Sequence, residues 1–197
     1  MRKYYQVTLN SIADSFLGIQ IEHDADGSMT LLQPKLLAKL FHEYPASATP
    51  YRQDHPYGPT PPKDYDARYN SAPKVSLKGY LHLLGILMYL NKSRPDISAA
   101  VSFGTTKAID PNARDQQSLL YIVEYFRKTA KQGHRIYAFS DQPWQLYCTV
   151  DASYLLHPDS KGHTGYTLGL FREGTFYNWR NARYLHSCQR HHLYPLH

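Results

Sequence analysis

Two cysteines among 197 residues, Cys148 and Cys188, leave no basis for a disulfide framework, and without a C-x-x-C pair they leave none for a thiolate zinc site. Long apolar runs are missing as well. The most apolar stretch, YLHLLGILMYLNKSRP, is interrupted by His82, Gly85 and Asn91, so it falls short of a bilayer span and reads as a buried helix. The opening MRKYYQVTLNSIADSF is too polar for a secretory signal, and an intracellular location, cytoplasm or nucleus, is expected with no membrane partner. Acids are scarce: 16 Asp and Glu against 22 Lys and Arg give a net charge of +6 and a pI near 9.2. That balance suits a polyanionic partner, and it equally suits a plain solvated surface. No internal repeat is visible.

A hydrophobic content of 42% over this length supports one ordinary globular domain or two small ones. Tyrosine is abundant, at 18 residues. Its ring can stack on bases or sugars, or it can fill interfaces and cores, and composition alone does not choose.

The pattern FLGIQIEHDADGSMTLLQ predicts a β-hairpin, with Leu17, Ile19 and Ile21 alternating, Gly27 at the turn, and Met29, Leu31 and Leu32 beyond it. In PKLLAKLFHEYP, Leu36, Leu37, Leu40 and Phe41 fall at helical spacing between two prolines, which predicts a helix from Pro34 to just before Pro45. The following PASATPYRQDHPYGPTPPKDYDARYNSAP lacks a periodic apolar face and reads as an extended connector with polyproline II character, a PxxP ligand being the lesser alternative. Three helices come next, in SLKGYLHLLGILMYLNKS, PDISAAVSFGTTKAI and PNARDQQSLLYIVEYFRKTAKQG. Pro95 and Pro111 suit first turns, Asp110 is the expected N-cap, and Gly133 the expected C-cap. Beyond Gly133 the apolar period changes to two, and RIYAF, QLYCTVDAS, TGYTLGLF and GTFYNWR predict an antiparallel meander, with Cys148 packed inside it.

The fold class expected is α+β, in five parts: a hairpin and helix over 1–44, a Pro/Tyr-rich linker over 45–75, a helical cluster over 76–133, a β-meander over 134–180, and a basic, His-rich, disordered tail over 181–197. In that tail His186, Cys188, His191 and His192 lie close together, but their spacing matches no structural zinc motif. Asp151 closes an apolar, β-branched run, where a carboxylate can cap a turn or hold a divalent metal.

Four blocks, FLGIQIEHDADGSMTLLQPKLLAKL, GYLHLLGILMYLNKSRPDISAAVS, QQSLLYIVEYFRKTA and CTVDASYLLHPDSKGHTGYTLGL, resemble the Pol polyprotein of Ty1/copia-type LTR retrotransposons in order and spacing, from about Asp14 to Asn178. The resemblance implies that the first block edges the polymerase palm, with Phe16, Leu17 and Gly18 gripping a primer end. It makes the helical blocks the thumb and connection, which rest on template–primer duplex, and TVDAS the first strand of a ribonuclease H domain. Asp151 then matches the first of that domain's metal-binding carboxylates. Lys92, Arg94, Arg127, Lys128 and Lys131, with Lys74 and Lys78, become candidates for the duplex backbone, against the reading that they are solvated helix ends.

The departures from the family shape the expectation. No Y-x-D-D turn is present, and after Asp151 the only acids are Asp159 and Glu173, in or beside predicted turns. After GTFYN the sequence WRNARYLHSCQRHHLYPLH has no acid and no likeness to the family, as a frameshift near Asn178 would produce. The chain is therefore expected to be a truncated reverse transcriptase and ribonuclease H fragment, catalytically inactive alone and requiring no cofactor, although the intact enzyme uses Mg²⁺. Its expected partners are an RNA–DNA hybrid or DNA duplex, or missing polymerase domains supplied in trans. A domesticated protein-interaction module and a non-functional translated remnant are the alternatives. A half-finished nuclease sheet is further expected to expose an edge and a bare face, and to associate.

Overall fold

A computed structural model describes residues 12–46, 55–57, 71–137, 145–153, 161–172 and 175–187. Most of the expected linker, and the tail residues Cys188, His191 and His192, lie outside them, as do Asp159 and Glu173. The described chain is a mixed α+β fold with two antiparallel sheets.

The first sheet begins with β1 (Ser15–Phe16), β2 (Ile19–His23) and β3 (Met29–Leu32). The β2–β3 turn closes through Asp24 N–H to the Ser28 carbonyl at 2.9 Å, with Gly27 at φ 81°, the left-handed conformation that glycine enters without steric cost. Helix α1 (Pro34–Glu43) starts on its proline and buries Leu37 and Leu40.

Helix α2 (Leu77–Leu90) is capped by the Ser76 hydroxyl, which accepts from Gly79 N–H at 3.3 Å. A 3₁₀ turn (Pro95–Ile97) leads into α3 (Ser98–Thr105), and α4 (Ala113–Thr129) completes the cluster. The N-cap of α4 is Asn112, not Asp110. Asn112 Oδ1 accepts from the N–H groups of Arg114 and Asp115, and Asp115 Oδ2 accepts from Asn112 N–H at 2.9 Å, a reciprocal capping box. Asp110 instead pairs with Lys74.

One core joins these helices. Leu40 of α1, Leu83, Leu87 and Leu90 of α2, Ile97, and Leu119, Ile122 and Phe126 of α4 are all essentially inaccessible. Tyr80 is buried too, its hydroxyl donating to the Gly104 carbonyl at 2.8 Å, and burial pushes its ionisation well above the usual phenolic range. At Gly104 a Cβ would stand 2.8 Å from Leu119 Cδ2, so a larger residue would require the Leu119 side chain to move.

The segment after α4 departs from expectation. Strand β4 (His134–Ile136) does not open the second meander: it pairs antiparallel with β3, Met29 opposite Ile136, and completes the first sheet in the order β1-β2-β3-β4. Arg135 on β4 ties the sheet to its own turn, its guanidinium 3.0 Å from Asp26 and 3.4 Å from Asp24. Gly133 is not a C-cap, because α4 ends four residues earlier at Thr129 with Ala130 as its cap. Its small size is needed for another reason, since a Cβ there would meet the Leu31 carbonyl oxygen at 2.5 Å.

The second sheet has the order β5-β6-β7, from β5 (Gln145–Ser153), β6 (Lys161–Arg172) and β7 (Thr175–Ser187). Strand β7 runs on through 181–187, part of the segment expected to be disordered, and pairs with β6 as far as Ser187 opposite Lys161. Its register shifts between Asn178 and Arg180, which makes Trp179 the extra residue of a β-bulge.

Two glycine substitutions should have opposite signs in chemical denaturation. Gly133→Ala drives a methyl into the Leu31 carbonyl and should cost about 1–3 kcal/mol. Gly85→Ala, in mid-helix where a Cβ meets nothing within 4 Å, should stabilise by up to about 1 kcal/mol.

Candidate nucleic-acid interface

Strands β1 and β2 are joined by two residues, Leu17 and Gly18, between the paired Phe16 and Ile19. Both have positive φ, 49° and 75°, the geometry of a type I′ turn that matches strand twist. Glycine accepts this freely, whereas the leucine Cβ crowds its own carbonyl at a cost of about 1–2 kcal/mol. The strained side chain gains no burial in return: Leu17 is 71% exposed and the neighbouring Phe16 66%.

What holds this tip is Tyr89, near the end of α2, whose hydroxyl donates to the Leu17 carbonyl. Lys92 then places its Nζ 5.7 Å from the centroid of the Tyr89 ring, within cation–π range. Two residues expected at the interface, Leu17 and Lys92, thus meet at one that sequence reasoning passed over, with the expected Phe16 and Gly18 flanking Leu17 in the chain. Tyr89 stands off the apolar face formed by Tyr80, Leu83, Leu84, Leu87 and Leu90, three positions before a lysine, and that offset was the available signal. Along the same helix Lys78, Leu81, Gly85 and Met88 are exposed. His82 is exposed as well and sits 2.8 Å from Glu43, a hydrogen bond that holds the Glu43 carboxyl below its usual range.

Two of the five cations expected to meet a duplex are structural instead. Arg94 is only 2% exposed, and all three of its guanidinium nitrogens donate: Nε and Nη2 to the two Asp96 oxygens at 3.0 and 2.6 Å, Nη1 to the Thr129 carbonyl at 2.8 Å, and Nη2 to Thr129 Oγ1 at 2.9 Å. The Phe126 ring lies 4.8 Å beneath it. Arg127 donates to the Tyr44 carbonyl and stacks 4.6 Å over Phe41, which clamps the end of α1 against α4. A guanidinium so occupied has no fork left for phosphate.

The other three remain available. Lys92, Lys128 and Lys131 are exposed, and among the described residues no ion pair occupies them. Because Arg94 ties its own segment to Thr129, Lys92 on one side of that joint and Lys128 and Lys131 on the other flank it.

Asp151 is exposed on β5, and so is Cys148 on the opposite face of that strand, although Cys148 was expected in a core. Among the described residues no group of three or more His, Cys, Asp or Glu could hold a metal ion, and a single exposed carboxylate does not meet the coordination Mg²⁺ needs. No helix of the described residues is long and apolar enough to cross a membrane. Comparison with protein-family models, with curated proteins and with solved structures finds no match to this chain.

Burial of Arg94 sets a sharp contrast with Lys92. Arg94→Met should cost about 3 kcal/mol, because it strands Asp96 and the Thr129 carbonyl, while Lys92→Ala should stay within about 0.5 kcal/mol of wild type in a denaturant melt.

Asp96 also sets an acid limit. Burial opposes its ionisation, but hydrogen bonds from Arg94 and Tyr125 outweigh burial and hold the carboxyl below its ordinary range. A depressed folded value gives stability above the unfolded pKa, lost as pH falls through the folded one. Wild type should therefore lose thermal stability more steeply below about pH 4 than Asp96→Asn does.

Proposed function

We propose that this chain is a segment of a Ty1/copia-type reverse transcriptase, comprising the palm edge, thumb, connection and first strands of a ribonuclease H-like sheet. Its retained activity is the holding of an RNA–DNA hybrid or DNA duplex. The single observation that carries this reading is the strained, exposed Leu17–Gly18 tip, pinned by Tyr89 beside Lys92. Backbone strain that secures no burial in the fold supports a role for this tip in contact with something outside the chain. Lys92, Lys128 and Lys131 supply phosphate contacts, which position a duplex without reading its sequence. Nothing in this reading routes strand cleavage through Asp151, since a single exposed carboxylate does not hold Mg²⁺.

A protein-interaction module is the second reading, favoured by Leu77, Leu81 and Met88, large apolar side chains exposed on one side of α2.

Fluorescence anisotropy with a short RNA–DNA hybrid separates the two. Salt-sensitive binding is expected, and Lys92→Ala, Lys128→Ala and Lys131→Ala should each weaken it and lower the salt slope by about one. Leu17→Asn should raise the melting temperature by relieving the turn and yet reduce affinity. Absence of binding at low salt by the folded protein would end the duplex reading and leave the interaction module.

A further inference from the structure

Strand β5 is an edge. It pairs with β6 along all nine residues, from Gln145 opposite Phe171 to Ser153 opposite His163, and among the described residues nothing pairs with its other side. The edge is long and carries no lysine, no proline and no bulge, the devices by which edge strands avoid pairing with other chains. Six of its side chains are exposed: Leu146 is 67% exposed, Val150 68%, and Cys148, Thr149, Asp151 and Ala152 are exposed as well. Leu146, Cys148, Val150 and Ala152 alternate along one face, so the uncovered edge borders an uncovered apolar row.

We propose that β5 pairs antiparallel with β5 of a second copy of this chain, about a two-fold axis at Thr149, to form a continuous six-stranded sheet. The midpoint of the nine-residue strand is Thr149, and only a register centred there matches all nine positions. The four residues of the apolar row then face one another, Leu146 opposite Ala152 and Cys148 opposite Val150. Thr149 meets its own copy, a favourable cross-strand pair. Charge agrees with this register: Asp151 is the only charged residue of the strand, and it falls opposite Tyr147, so the two carboxylates do not meet. A single strand pair of about 30 Å buries less than the roughly 1,200 Å² of a stable interface. The dimer is therefore weak and concentration-dependent.

The test uses the full chain in sedimentation equilibrium and in cysteine cross-linking. Wild type under reducing conditions should show a monomer–dimer equilibrium at micromolar concentrations, and Val150→Lys, at a 68% exposed position, should abolish the dimer while its circular dichroism spectrum matches that of wild type. To fix the register, Thr149→Cys is made together with Cys148→Ser and Cys188→Ser, so that the only thiols are the two that the axis brings together. Antiparallel partners have Cα atoms about 4.5–5.5 Å apart, within the span of a disulfide. Diamide should join this variant as a dimer faster than it joins a Cys188→Ser chain that keeps Cys148. Faster joining through Cys148 would overturn the Thr149 axis, and a wild type monomeric at high micromolar concentration would overturn the pairing itself.

Discussion

Everything in the helical cluster hangs on one buried dipeptide, Ser93–Arg94. A guanidinium leaves water at a high cost unless its nitrogens meet acceptors, and here the acceptors come from two places, the carboxylate of Asp96 and the end of α4 at Thr129. The preceding residue looks the other way: Ser93 Oγ donates 2.7 Å to Gln33 Oε1, immediately before α1. Two adjacent side chains thereby fix the start of α1, the end of α2, the 3₁₀ turn and the end of α4 to one another. Hydrophobic burial supplies the driving force for packing these helices, but it is non-directional, and polar joints of this kind select one arrangement among many.

The proposed interface is a by-product of that arrangement. Lys92 stands just before the joint, and Lys128 and Lys131 bracket the residue to which it is tied. The hairpin tip reaches the same region through Tyr89, a residue of α2. Rigid elements therefore position the exposed groups, and the one strained turn among them is held from outside by a hydroxyl.

Much of this fold was legible in advance where the governing interactions are local. The hairpin with Gly27, the helix opening at Pro34 and the three later helices follow from apolar spacing and punctuation, which report on one element at a time. The N-cap of α4 was missed by two residues because Asp110 and Asn112 both qualify as caps, and only the reciprocal spacing of Asn112 and Asp115 distinguishes them. Period-two alternation in RIYAF pointed to a strand that overlaps the observed His134–Ile136 at Arg135 and Ile136, but it could not name the partner, because pairing is non-local. The cations show the same limit. Lys92 and Arg94 look alike in a charge count, and the clue that Arg94 turns inward was the carboxylate two residues on, in Asp96. Cys148 was placed in a core on residue type alone, which holds only when another layer covers the sheet.

The pairing of β3 with β4 also sets an order of events during synthesis. Met29 and Ile136 are neighbours in the sheet although 107 positions separate them, so the helical cluster is a long loop closed by three residues. Contacts of such separation form late, after the local helices have reduced the entropy of closure. On the ribosome, the hairpin must wait with one edge open until the last turn of α4 and the strand behind it have left the exit tunnel. During that interval β3 presents an unpaired edge, and the speed of elongation between the two strands sets how long it does so.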